Sequence, residues 1–241
     1  MTAVTRSSIP STRGASKGTA SKGTASTTSD DVAEAVKAVR VSSRRRQLLD
    51  AAVVVMGRTG FHQMSMQALA DEAQVSVGLF YKYFGSKEDI LLAAIIDILE
   101  TFRDQLQPAM DLAGDDPVMQ LIAGFRQYTS IVDENRDAVV LTYRESRTLD
   151  AQGRERIKEL EVETAAPMRA AVEAGVAGGL MNDVDIDLVV FDLMMLAHAW
   201  ALKHWHFGTE FDIDTYIAAQ LRHSLRGLVV ADRLEEYLVR I

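Results

Sequence analysis

An all-α fold is predicted for this chain by three observations. After Asp30, apolar residues recur at the three-to-four-residue spacing of a helix face. Gly60, Pro108 and Gly178-Gly179 punctuate those stretches as helix stops. No Val/Ile/Thr-rich alternating run with hairpin residues between copies occurs, so a sheet has no source.

Three regions follow from composition. Residues 1–40 are predicted to be a disordered, basic, Ser/Thr/Gly-rich tail with a tandem SKGTA, too poor in apolar groups to build a core. It is either a variable tail or an arm that adds phosphate affinity through Arg6, Arg13, Lys17 and Lys22. Residues 41–88 form a small helical head, and residues 89–241 a larger helical body.

In chain order, Leu48, Leu49, Ala52, Val55 and Met56 share one face of a first helix that stops at Gly60. A short second helix opens at Ser65, whose hydroxyl can cap the amides after it. Ala73-Gln74-Val75 reads as a tight turn, and Ser76 as the cap of a third helix, Val77 to Tyr83. A fourth helix runs from Ser86 with a five-turn apolar stripe and ends by Pro108. Further helices are expected from Asp116-Pro117 to about Val132, Arg136 to Leu149, Ala151 to Ala177, Asp185 to His206 and Asp212 to Val230, with a short one in Leu234–Val239. Leu188–Leu202 is apolar nearly all round and must be covered on both sides. Paired with the stripe Ile213, Tyr216, Ile217, Leu221, Leu225, Leu228, it suggests half of a four-helix bundle between two subunits; two interior helices are the plainer alternative.

The net charge of −8 conceals a gradient: residues 1–90 carry 12 Lys/Arg against 8 Asp/Glu, and residues 91–241 carry 14 against 26. A locally basic front end can therefore meet phosphate despite the acidic total. The chain has no cysteine, which excludes disulfides and thiolate chemistry. With no apolar run of about 18 residues and no signal-peptide core, a soluble cytoplasmic protein is expected, with no membrane partner. No catalytic or metal-binding residue is assigned and no cofactor is expected. His198, His204 and His206 lack the i, i+4 spacing of a zinc helix, and GxSxG, P-loop and GxGxxG are all missing.

Two short helices around a three-residue turn make a helix-turn-helix, whose second helix enters a major groove. Val77, Gly78 and Leu79 would face the bases, with apolar contacts to thymine methyls and close approach at Gly78, a residue costing about 1 kcal/mol relative to Ala in a helix. Ser65 and Ser76 sit at helix N-termini, where amides favour anions. Tyr81, Lys82, Tyr83 and Lys87 are candidate phosphate ligands, and Arg44, Arg45 and Arg46 a basic lead-in. Phe80 and Phe84 belong to the core.

The stretch SMQALADEAQVSVGLFYKYFGSKEDIL resembles the DNA-binding domain of the TetR family of one-component repressors. Ser65, Leu69-Ala70, Ala73, Val75, Ser76, Gly78, Tyr81, Phe84, Lys87 and Glu88 carry the match, which spans about residues 43–100. Gln74 departs from the usual turn glycine and Tyr83 from the usual histidine. The resemblance implies a homodimer with two recognition helices on a palindromic double-stranded operator, released when a small molecule enters the C-terminal domain.

In the body, Phe102, Phe125, Tyr128, Tyr143, Met168 and Met194 suit a small hydrophobic effector. Tyr143 and Arg147, four apart in YRESRTL, are expected on one helical face, and His198 interrupts the most apolar helix; these three are candidate orienting contacts. TYRESRTL, DVDIDLV and HWHFG together resemble repressors of fatty-acid and sterol-side-chain catabolism, whose effectors are acyl-CoA thioesters. Arg103, Arg126, Arg144 and Lys203 are then candidates for the coenzyme. An aromatic or steroid-like effector stays open, as does a regulator without a small-molecule ligand, governed by a protein partner or by abundance.

Overall fold

The computed structural model describes residues 25–241, with side chains from residue 36 onward except 38 and 39. The expected phosphate arm at Arg6, Arg13, Lys17 and Lys22 lies outside the described residues. Two units divide the chain, residues 1–43 and Arg44–Ile241. Among the described residues there are eleven α-helices and no strand, with one isolated bridge between Met181 and Val229.

The helices are α1 Ala25–Thr59, α2 Met66–Glu72, α3 Val77–Tyr83, α4 Lys87–Asp111, α5 Pro117–Glu134, α6 Arg136–Glu145, α7 Ala151–Ala177, α8 Ile186–Leu202, α9 His204–Glu210, α10 Ile213–Leu228 and α11 Leu234–Leu238. Side chains cap most of them. Ser65, Ser86, Asp116, Asp150, Asp185 and Asp212 each accept an amide hydrogen bond in the first turn that follows.

Four expectations are corrected. Residues 25–40, assigned above to a disordered tail, are helical, because AEAVKAVR is made mostly of strong helix formers. Pro108 does not end α4 but sits in its last turn, where the amide it lacks removes only one bond near a frayed terminus. The expected helix 136–149 gives way after Glu145 to a 3₁₀ turn, Ser146–Thr148. The expected helix 185–206 breaks at Lys203, where the backbone leaves helical geometry.

The body packs α4, α5, α7 and α8 against one another, with α6 on α4 and α8 and α10 on α5. Gly124 on α5 lets this happen: a β-carbon there would come within 2.9 Å of Met110 Sδ. In the head, Leu48, Leu49, Ala52, Val55 and Met56 join Phe61, Met64, Leu69, Phe80 and Phe84 as buried apolar residues, as their spacing predicts.

The turn between α2 and α3 keeps its left-handed residue without a glycine. Gln74 has φ 55, the amide of Gln74 donates to Asp71 and that of Val75 to Ala70. This 5→2 and 6→1 pair is a Schellman ending. Holding Gln there costs about 1 kcal/mol that glycine would not. Gln47 of α1 braces the turn by donating to the Ala73 carbonyl at 3.3 Å, and Arg58 reaches Glu72 at 3.1 Å.

Candidate nucleic-acid interface and effector cavity

The head turns one face of α3 outward. Ser76, Gly78, Tyr81 and Lys82 are exposed, Tyr81 by 57%. Gly78 has no internal reason to be small, since a β-carbon there meets only Ser76 Oγ, at 3.9 Å. The head itself would accommodate a larger residue at this position. Val77, Leu79 and Tyr83 are half-buried and packed on the core, so their side chains are largely spent inside the head. Ser65 is exposed and caps α2 by accepting from Ala68 at 3.0 Å. Ser76 occupies the cap position of α3, but its hydroxyl makes no cap bond, contrary to expectation.

The cations divide too. Lys87 is half-buried and donates through Nζ to the Met64 carbonyl, so one of its three donors is engaged within the head. Arg45 and Arg46 both reach Asp97 of α4, at 3.8 and 3.5 Å, and Arg45 also lies 5.8 Å from the Phe84 ring centre. Arg44 is exposed and donates to Gln47 at 2.7 Å. Lys82, Arg44 and Arg46 are thus the exposed cations among the expected contacts.

Inside the body, three of the residues singled out from sequence meet. The Tyr128 hydroxyl lies 2.8 Å from His198 Nε2, and the Tyr143 hydroxyl 2.8 Å from His198 Nδ1. Tyr143 also donates to Met195 Sδ at 3.3 Å. One proton assignment satisfies all three contacts: Tyr128 donates to Nε2, Nδ1–H donates to Tyr143, and Tyr143 donates to Met195. Phe102 stacks on Tyr128 with centres 4.2 Å apart. The string is electrically neutral. Burial drives the His198 pKa down to about 4 and raises that of Tyr128 well above the phenol range, with Tyr143 and Glu161 adding to the latter. Burial, then Glu161, raises Tyr143 likewise.

Phe102, Phe125, Tyr128, Met168 and Met194 are core side chains, 3% exposed or less. Tyr143 alone among the expected effector contacts opens onto a described cavity. This one, of about 220 Å³ between α6 and α7, is lined by Thr142, Tyr143, Ser146, Arg154, Ile157, Lys158 and Glu161. Burial raises the Glu161 carboxyl. Arg147 is not on the Tyr143 face, because the 3₁₀ turn re-aims it, and it is exposed outside this cavity. The coenzyme candidates lie elsewhere. Arg103 pairs with Asp104, Arg126 holds the Ile241 carbonyl, Arg144 pairs with Glu145, and Lys203 is exposed at the α8 break. Arg154 and Lys158 were missed, although their i, i+4 spacing with Ile157 and Glu161 in RERIKELE marks one helix face.

A larger cleft of about 540 Å³ runs between α8 and α10, with Leu193, Met195, Leu196 and Leu228 in its walls. Beside it α8 exposes Leu188, Phe191 and Met195, by 61%, 39% and 47%. One side of α8 is therefore left uncovered within the single chain, unlike the interior helix of the plainer alternative.

A helix-turn-helix head with an outward recognition helix, joined to a helical body, defines a DNA-binding regulator. Residues 48–94 match the model of bacterial regulatory proteins of the tetR family, and residues 114–206 that of a tetracycline repressor-like C-terminal domain. The HTH-type transcriptional regulator HbdR of Aromatoleum sp. is 36% identical over 190 residues, covering 77% of this chain and 82% of its own. The chain belongs to the TetR family. Its fold is shared by the Bacillus subtilis regulator FadR in complex with stearoyl-CoA, with TM-score 0.63, 21% identity and coverage of 76% of this chain and 98% of that one. It is shared also by AibR in complex with isovaleryl coenzyme A and operator DNA, with TM-score 0.63, 19% identity and coverage of 74% and 96%. The head match runs six residues past the expected boundary at 88, into α4. No helix among the described residues is long and apolar enough to cross a membrane.

Proposed function

We propose that this protein is a cytoplasmic repressor that holds a palindromic operator as a homodimer and releases it when a small acyl-CoA-type effector binds the body. The observation that carries the effector half is the Tyr128–His198–Tyr143 string, in which His198 of the most apolar helix and Tyr128 are buried and Tyr143, 43% exposed, forms the outer end at a cation-lined cavity. Such a string orients a ligand carbonyl or senses its arrival; an ordinary core would use apolar side chains there. Two proteins of the same fold hold acyl-CoA molecules, which supports the ligand class.

DNA contact falls to Ser65, Ser76, Gly78, Tyr81 and Lys82, with Arg44 and Arg46 on the approach. Arg45, Val77, Leu79, Tyr83 and Lys87 contribute by shaping the head, each already engaged within it. Dimerisation falls to the exposed apolar face of α8 with α10. Burying the exposed half of side chains such as Leu188, Phe191 and Met195 contributes roughly 1 kcal/mol each.

Footprinting the full-length protein on DNA flanking its own gene, with and without acyl-CoA thioesters, tests the whole reading. A symmetric protected site that a thioester abolishes is expected. Protection that no thioester alters would favour control by a protein partner or by abundance. Absence of any protected site would sink the operator reading.

A further inference from the structure

The α6–α7 cavity is lined largely by hydrogen-bond donors. Its walls place two cations, Arg154 and Lys158, four residues apart on α7, opposite the hydroxyls of Tyr143 and Ser146 on the other side. Arg154 spends one donor on the Leu149 carbonyl and Lys158 pairs with Glu155 at 3.0 Å, which leaves most of the guanidinium donors available. Glu161 is the one acid in the wall against the two cations, so the lining is positive on balance. At about 220 Å³ the space is below the size of a whole drug-like site, so it takes a functional group and not an entire ligand.

Tyr143 has three engagements at once. It lines this cavity, it is bonded to His198, and its hydroxyl donates to Met195, which lines the separate α8–α10 cleft. A ligand oxygen that takes the Tyr143 hydroxyl must break the bond to Met195, since a phenol has one proton to give. The cavity and the cleft therefore share one hydrogen atom.

Resting on the effector reading above, we propose that the α6–α7 cavity binds the anionic end of the effector on Arg154 and Lys158, and that Tyr143 reports its occupancy to Met195 on the α8 face. Tyr143 acts here as a positioning residue between the ligand and the helix pair assigned to the second subunit. An anion on this site is either a carboxylate of a free acid or a phosphate of a thioester carrier.

Calorimetry on the full-length protein with octanoyl-CoA, octanoate and free coenzyme A separates these sources, alongside operator release followed by fluorescence anisotropy. The double variant R154A/K158A should weaken octanoyl-CoA binding at least tenfold, while Lys158→Arg, which keeps the charge, holds it within about threefold. Loss for octanoyl-CoA and coenzyme A alone identifies phosphate in the cavity; a further loss for octanoate shows that a free carboxylate uses the same cations. In Tyr143→Phe the octanoyl-CoA concentration needed for operator release should rise at least tenfold more than the dissociation constant does. Wild-type affinity in R154A/K158A overturns the cavity, and parallel binding and release in Tyr143→Phe overturns the coupling. If wild type binds and releases with none of the probes, the acyl-effector reading itself fails and takes this inference with it.

Discussion

His198 shows how a single residue acquires a measurable signature from its surroundings. Held between two phenols in an apolar body, it stays neutral, with its pKa lowered by burial from the ordinary 6.5 to about 4. The sign of the consequence is set by proton uptake. Between pH 6.5 and 4 the unfolded chain binds a proton at this residue that the native chain does not, so stability falls as pH falls through that window. The slope reaches about 1.4 kcal/mol per pH unit, for a total of about 3 kcal/mol. In His198→Gln this component is missing, and urea denaturation at pH 7.5, 6 and 5 should show a shallower decline than wild type. Parallel declines would mean that residue 198 is not held neutral. Gln74 makes the opposite point. It departs from the usual turn glycine, yet the backbone keeps φ 55, because the two turn bonds and the packing of Val75 outweigh the strain of one side chain.

For elements, the informative case is α3. Seven residues long, it is too short to be stable alone and is held by Phe80 and the half-buried Val77, Leu79 and Tyr83. Its outward strip is then Ser76, Gly78, Tyr81 and Lys82. Because nothing in the protein crowds Gly78, Gly78→Ala should stabilise the head by up to about 1 kcal/mol through helix propensity. The same change should weaken operator binding, since the methyl group projects toward the bases. Thermal melts and anisotropy titrations on one preparation check both. A variant with unaltered operator affinity would remove Gly78 from the interface. The break after Glu145 in α6 is a second element-scale effect. It leaves Tyr143 on the helix with its hydroxyl on His198 and turns Arg147 away, which no helical projection of YRESRTL conveys.

At the scale of the whole molecule, the exposed apolar face of α8 sets the expected assembly. Leu193 and Leu221 face inward and are 3% and 1% exposed, so charging them would damage the protomer and test nothing about association. Phe191→Glu and Met195→Glu act on the outer face instead. Each should give folded monomers by light scattering and lose operator affinity by at least tenfold, because one recognition helix then binds without its twin. A wild-type protein that is monomeric at micromolar concentration would refute the dimer.

Much was legible in the sequence because it is encoded by local periodicity. Helical spacing, capping Ser and Asp residues and a run of fixed intervals in residues 65–88 determined the all-α class, the helix-turn-helix and the basic head on an acidic body. Tyr143 and His198 were also named from sequence as orienting contacts, but with Arg147 as the third, and Tyr128 only as a large side chain suited to an apolar ligand. Only the tertiary structure decided which candidates face outward, which cations are already paired, and that Arg154 and Lys158 line the cavity. Those facts depend on contacts between residues such as Lys87 and Met64, or Tyr143 and Met195, that lie 23 and 52 positions apart. Periodicity along one helix carries no information about which neighbour a side chain meets, and that neighbour determines what the side chain is free to do.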